Sequence, residues 1–108
     1  MDAGPYQIVI MTAANTSEAE RIAEALVNDG LAACVNVIES CRSVYRWQGR
    51  LVKESEVLML AKTRRGRFAD LERRVIELHS YDVPEIIAVD LTNVAKGYRG
   101  FLEDLLGK

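Results

Sequence analysis

The sequence predicts an α+β fold in which one antiparallel sheet is backed by helices, assembled in the order strand, helix, strand, strand, helix, strand, helix. Three observations carry that expectation. Runs of β-branched and aliphatic residues recur at Tyr6–Thr12, Leu31–Thr63 and Glu85–Leu91. Three stretches between and after them place apolar residues at helical spacing, and the long central run breaks only at Gln48-Gly49. The 108 residues are the length of one domain, and 49% hydrophobic residues with only two prolines exclude wholesale disorder.

Within Tyr6–Thr12, Ile8-Val9-Ile10 reads as a strand buried on both faces. Asn15-Thr16-Ser17 then offers capping oxygens, and Ser17 with Glu20 matches a capping box. Ala19, Ile22, Ala23, Leu26 and Val27 form the apolar stripe of the first helix, which Gly30 ends in the left-handed conformation. Leu31 to Trp47 and Arg50 to Thr63 read as two long strands of an extended hairpin. Their length exceeds the usual strand, so the outer part around Val44, Tyr45, Trp47, Leu51 and Val52 is expected to project beyond the body. Such an arm would leave apolar surface and backbone groups uncovered in a monomer, which implies an oligomer with Val44, Tyr45 and Trp47 in its interface. Arg67–His79 is the second amphipathic helix, with Phe68, Leu71, Val75 and Leu78 inward. Val83-Pro84 forces an extended approach to the last strand, and Tyr98, Phe101, Leu102, Leu105 and Leu106 form the stripe of a short terminal helix. The element order is that of the ferredoxin-like, split βαβ fold, with the helices on one face of the sheet.

A net charge of −2 disfavours a dedicated nucleic-acid binder, and Val57-Leu58-Met59-Leu60 gives no aromatic platform for bases. The longest apolar runs, Leu31–Val35 and Val57–Ala61, fall far short of the roughly 20 residues of a membrane span. A soluble, cytoplasmic protein with reduced cysteines is expected, with Cys34 in the core and Cys41, beside Arg42, more open to chemistry. No Ser/His/Asp set or close carboxylate pair is evident, and no enzyme is expected. His79 reads either as a metal ligand or proton shuttle with Glu85, or as a structural residue closing the second helix, the commoner role of a lone histidine. Lys62, Arg64, Arg65, Arg67, Arg73 and Arg74 fall within thirteen residues, and four of the six crowd the start of that helix, against its dipole. They read either as an anion site or as a solvated face.

Four segments together resemble a known family. Leu31-Ala32-Ala33-Cys34-Val35-Asn36-Val37, Ser43-Val44-Tyr45-Arg46-Trp47-Gln48-Gly49, Lys62-Thr63-Arg64 and His79-Ser80-Tyr81-Asp82-Val83-Pro84-Glu85-Ile86-Ile87 look like the CutA divalent-cation tolerance proteins, in order and in spacing, from about Tyr6 to Leu106. The resemblance implies a P-II-like homotrimer built by the long hairpins, and binding of a divalent metal ion, copper in particular. It places Met11 where copper-binding bacterial relatives carry a cysteine, and Leu78 with His79 where they carry two histidines. Met11 could offer a thioether to Cu(I), whereas Leu78 offers nothing. Ser80 stands for the family's usual proline, and Asp104 for a tryptophan of the last helix. The implied metal ligands are therefore His79, Glu85 and Met11, and the implied cleft or anion-binding residues are Lys62, Arg64 and Tyr81.

Three functions follow from these readings. The first is a non-enzymatic homotrimer binding metal ions weakly at an intersubunit cleft. The second is a P-II-like signalling module that takes a small anionic effector through Arg64, Arg65 and Arg67. The third is a trimeric scaffold for an unidentified protein partner. None of them involves nucleic acid or a membrane.

Overall fold

The computed structural model describes residues 4–107. Its elements are β1 (Tyr6–Ala13), α1 (Thr16–Asn28), β2 (Cys34–Trp47), β3 (Arg50–Arg64), a 3-10 turn (Arg65–Arg67), α2 (Phe68–Leu78), β4 (Ile86–Asp90) and α3 (Lys96–Leu106). All strand pairs are antiparallel, in the order β2-β3-β1-β4, which is the expected ferredoxin-like sheet. Val9, Met11 and Ala13 of β1 and Val57, Met59 and Ala61 of β3 alternate onto one face. There they meet Ile22 and Leu26 of α1 and Leu71 and Val75 of α2, all buried.

The third helix differs from expectation. Leu102 and Leu106 pack on Tyr6 and Ala33 in a separate cluster. Tyr6 shares its side of β1 with Ile8, opposite Val9, so α3 lies on the other face and only α1 and α2 share one. Tyr98, Phe101 and Leu105 of the expected stripe remain 40–51% exposed. Beyond α3 this second face carries Ile38, Ile87 and Val89, all exposed, beside half-buried Ile10 and Leu60. Cys34 also sits here, half-buried rather than in the core. Burial, and the Cys34 thiol beside it, push the Tyr98 phenol above its ordinary value.

Local chemistry explains the ends of α1. The cap is Asn15, whose Oδ1 accepts from the Glu18 N–H at 2.8 Å, while Glu18 Oε1 accepts from the Ala14 N–H at 3.2 Å. The capping box therefore runs from Asn15 to Glu18 and not from Ser17 to Glu20, because the helix starts at Thr16. At the other end Gly30 has φ +71°. Its N–H donates to Val27 O at 3.1 Å and the Leu31 N–H donates to Leu26 O at 2.8 Å, the paired bonds of a Schellman motif.

Gln48 and Gly49 both have positive φ, 50° and 78°, which is the two-residue turn that suits a twisted hairpin. The arm it closes makes the subunit 44 × 25 × 23 Å, with a radius of gyration of 14.5 Å. A compact chain of this length would have about 13 Å. Trp47 is 52% exposed and Leu51 62%. Between Ile38 and Cys41 the register of β2 against β3 shifts by one residue, with Ser40 at φ 64°. Gly49→Val should cost about 1–2 kcal/mol of local stability, since a β-branched residue resists positive φ. Hydrogen exchange should then quicken roughly tenfold or more over residues 44–53 with the core protected; uniform protection would exclude strain at that turn.

Candidate functional site

The site is built where α2 ends beneath the base of the arm. His79 leaves the helix with extended backbone (φ −82°, ψ 142°), and its side chain is 1% exposed. Nε2 lies 2.7 Å from Thr12 O, and Nδ1 lies 3.0 Å from the Tyr81 N. A carbonyl only accepts and a backbone N–H only donates, so Nε2 carries the proton and Nδ1 accepts. Both ring nitrogens are engaged. The Tyr81 ring tilts against the imidazole at 4.7 Å, and its hydroxyl donates to Glu56 Oε2 at 2.9 Å. Burial and the Glu56 carboxylate hold the Tyr81 phenol protonated, well above its ordinary range.

Behind His79 stands Glu18, 3.6 Å from Nδ1 and almost fully buried. It accepts from the Ser80 and Ala14 N–H groups, each at 3.2 Å. Burial alone would raise its pKa, but the hydrogen bonds from Ser80 and Ala14, with His79 adjacent, outweigh it and hold the carboxyl below 4.5. Because the folded value is the lower one, this carboxylate stabilises the fold fully above about pH 4.5, and the contribution fades as pH falls through the folded value. Glu18→Gln should thus flatten the acid limb of a melting-temperature profile below that pH. An unchanged acid limb would remove Glu18 from the linkage.

In front of Tyr81 opens a cleft of about 670 Å³. Tyr45 and Trp47 of the arm, with Val44 and Val52, form one side, and Tyr81 with Thr12 lies at its base. Glu54, Glu56, Asp82 and Glu85 also line it, and among the described residues no lysine or arginine does. The Tyr45 phenol is raised chiefly by its hydrogen bond to Glu54. The field inside is that of several carboxylates facing apolar and aromatic walls, which attracts cations and repels anions.

The expected residues divide between this cleft and the body. Glu85, Tyr81, Val44, Tyr45 and Trp47 line it; His79 lies behind Tyr81, and Met11 is in the core at 1% exposure. Among the described residues no three His, Cys, Asp or Glu side chains converge on a metal position. His79, Glu85 and Met11 are not brought together as one ligand set. Lys62 donates to Asn36 Oδ1 and sits six residues from Glu56 along β3, about 20 Å away. Lys62 and Arg64 therefore do not join Tyr81 in an anion site.

The rest of the basic run is engaged elsewhere. Arg65 pairs with Asp90 at 3.2 Å, and Arg73 with Asp70 at 2.9 Å. Arg74 bridges Asp29 and Glu77, and Arg67 donates to Gly30 O and Leu106 O, closing the ends of α1 and α3. Sequence reasoning missed Glu18, Glu54, Glu56 and Asp82. For Glu54 and Glu56 the signal was present: alternate residues of one strand share a face.

A protein-family model described as CutA1 divalent ion tolerance protein matches residues 7–105. The chain is 43% identical over 97 residues to the divalent-cation tolerance protein CutA of Thermus thermophilus, covering 90% of this chain and 91% of that one. A solved structure of the divalent cation tolerance protein Cut A1 from Thermus thermophilus superposes with a TM-score of 0.91 at 40% identity, covering 94% of this chain and 99% of that one. The structure of the periplasmic divalent cation tolerance protein CutA from Archaeoglobus fulgidus gives 0.89 at 33% identity, covering 93% and 97%. That name places a relative outside the cytoplasm, so membership does not carry the expected cytoplasmic location. No helix among the described residues is long and apolar enough to cross a membrane.

Proposed function

Since the chain belongs to the CutA1 divalent ion tolerance family, we propose that it acts without catalysis, as a homotrimer that takes divalent cations weakly in clefts between its subunits. One observation carries the reading: among the described residues four carboxylates, and no opposing cation, line the cleft beside the projecting arm. The donors that face it are carboxylate and phenol oxygens, which suit an oxygen-preferring ion. Copper, implied by the family resemblance, would find neither imidazole nor thioether there, because His79 has both nitrogens bonded and Met11 is in the core. Without three convergent side chains an ion is held through its water shell, hence weakly. The ion is cargo rather than a resident cofactor.

Assembly is supported by exposure. Tyr45, Trp47 and Leu51 on the arm, and Ile38, Ile87 and Val89 on the open sheet face, are apolar surface that neighbouring copies would cover. The reading as a module for an anionic effector is weaker, because the cleft is acidic, Arg65 is paired with Asp90 and Arg67 closes the ends of α1 and α3.

Titration calorimetry with Mn²⁺, Zn²⁺ and Cu²⁺ tests the cleft. Glu54→Gln with Glu85→Gln should weaken binding of the preferred ion at least tenfold, whereas equal affinity in the variant would overturn the assignment. Trp47→Ala should dissociate the trimer in light scattering and lower the melting temperature; a trimer of unchanged stability would remove the arm from the interface.

A further inference from the structure

The acids of the cleft are disposed in a way that one metal ion does not explain. Four carboxylates line a space of about 670 Å³, yet among the described residues no three potential ligands converge on one metal position. Their charge is spread along the cavity instead: Glu54 and Glu56 stand on β3, and Asp82 and Glu85 belong to the segment before β4. Glu56 is only 7% exposed. Its Oε2 accepts from the Tyr81 hydroxyl, and its Oε1 has no partner among the described residues. The enclosed side-chain polar atom left without a partner among those residues is Gln7 Oε1, so Glu56 Oε1 is reached from the cleft that Glu56 lines. A carboxylate oxygen so deeply set calls for a donor, because its lost hydration is otherwise uncompensated.

The remaining wall is apolar and aromatic, with the rings of Tyr45, Trp47 and Tyr81 and the side chains of Val44 and Val52. A hydrated metal ion gains little from such a wall. An alkylammonium gains twice: the ring faces attract its charge, and its methylenes leave water against the apolar side chains. Each ammonium is a compact charge with three rotatable donors, so it needs a carboxylate but no convergent set of them. The volume also falls within the roughly 300–1,000 Å³ of small-molecule sites.

We infer that the cleft takes a linear aliphatic polyamine in its protonated form, with ammonium groups on separate carboxylates and methylene segments along Tyr45, Trp47 and Tyr81. This rests on the cation-binding reading above and names an organic occupant for the same cleft. Aliphatic amines carry their charge at neutral pH, as lysine side chains do. Spaced charges on the ligand meet spaced charges in the site, and Glu56 Oε1 receives the donor it lacks. Polyamine and metal ion then compete for the same carboxylates.

Titration calorimetry of the wild-type protein with spermidine, n-butylammonium and Mn²⁺ at one ionic strength tests this. Spermidine should bind at least tenfold more tightly than n-butylammonium, which carries its ammonium group once, and should raise the apparent dissociation constant for Mn²⁺. Trp47 is the chain's single tryptophan, so its emission should change as spermidine saturates the cleft. Glu54→Gln with Glu85→Gln should weaken spermidine at least tenfold. Tyr45→Leu, which keeps an apolar wall but removes a ring, should weaken it roughly two- to fivefold and leave Mn²⁺ within twofold. Spermidine no tighter than n-butylammonium, an unchanged Trp47 emission, or wild-type spermidine affinity in either variant would overturn the inference. Mn²⁺ binding without spermidine binding leaves the proposed function standing and removes only the polyamine, whereas binding of neither removes both. If the variants fail to fold, the wild-type ranking of ligands and the competition with Mn²⁺ decide.

Discussion

Replacing His79 with alanine is expected to destabilise the protein by about 2–4 kcal/mol while leaving its affinity for divalent cations unchanged. The imidazole satisfies Thr12 O on one side and the Tyr81 N–H on the other, and its ring supports the tilted Tyr81. Truncation leaves two inward polar groups without partners, each worth about 1–3 kcal/mol, and opens a space next to Glu18. For a chain of this size that corresponds to a fall of roughly 10 °C or more in melting temperature. Denaturant melts and calorimetry on the same preparation give both readouts. Lost cation affinity at unchanged stability would make His79 a ligand and reverse the assignment.

Leu102→Ala should cost about 2–4 kcal/mol, because a leucine with no exposed surface leaves a cavity between α3 and the sheet. The helix is seated by few groups: Leu102 and Leu106 on Tyr6 and Ala33, the Tyr6 hydroxyl on Gly107 O, and Arg67 on Leu106 O. Its amides should therefore exchange much faster in the variant, ahead of those in α1 and α2. Loosening α3 also uncovers the end of the open sheet face, so association in light scattering should change along with stability. A cost under about 1 kcal/mol with α3 still protected would show that the helix is held by its surface contacts instead.

The fold was readable where local chemistry decides it. Ile8-Val9-Ile10, Gly30 and Gln48-Gly49 mark a strand, a helix end and a hairpin turn without reference to the rest of the chain. The side of the sheet taken by α3 was not readable, because it depends on Tyr6 meeting residues about a hundred positions away. The cap of α1 was misplaced by two residues, since Asn15–Glu18 and Ser17–Glu20 have the same spacing and only burial of Glu18 separates them. At the site, the family motifs pointed to the turn at 79–85 and to the aromatic arm, and both segments line the cleft. What they did not reveal was how each group is engaged. The imidazole's partner Thr12 is 67 residues away, and Arg65, Arg67 and Arg74 find Asp90, the ends of other helices and Asp29 only after folding. Residue type suggested ligands there, and connectivity in space made them fasteners.

The one-residue surplus in β2 has a mechanical consequence. On the body side of it strand partners sum to one index and on the arm side to the next, Ile38 with Leu58 but Cys41 with Glu56. Deleting Ser40 would therefore keep every strand pair across the ladder while removing the bend that aims the ribbon. The tip lies some seven residues further out, more than 20 Å, so a small change of angle at that joint swings it by several ångströms. The shape of the cleft is thus adjustable by a single insertion or loss at the base of the arm, with the chemistry of its walls left untouched.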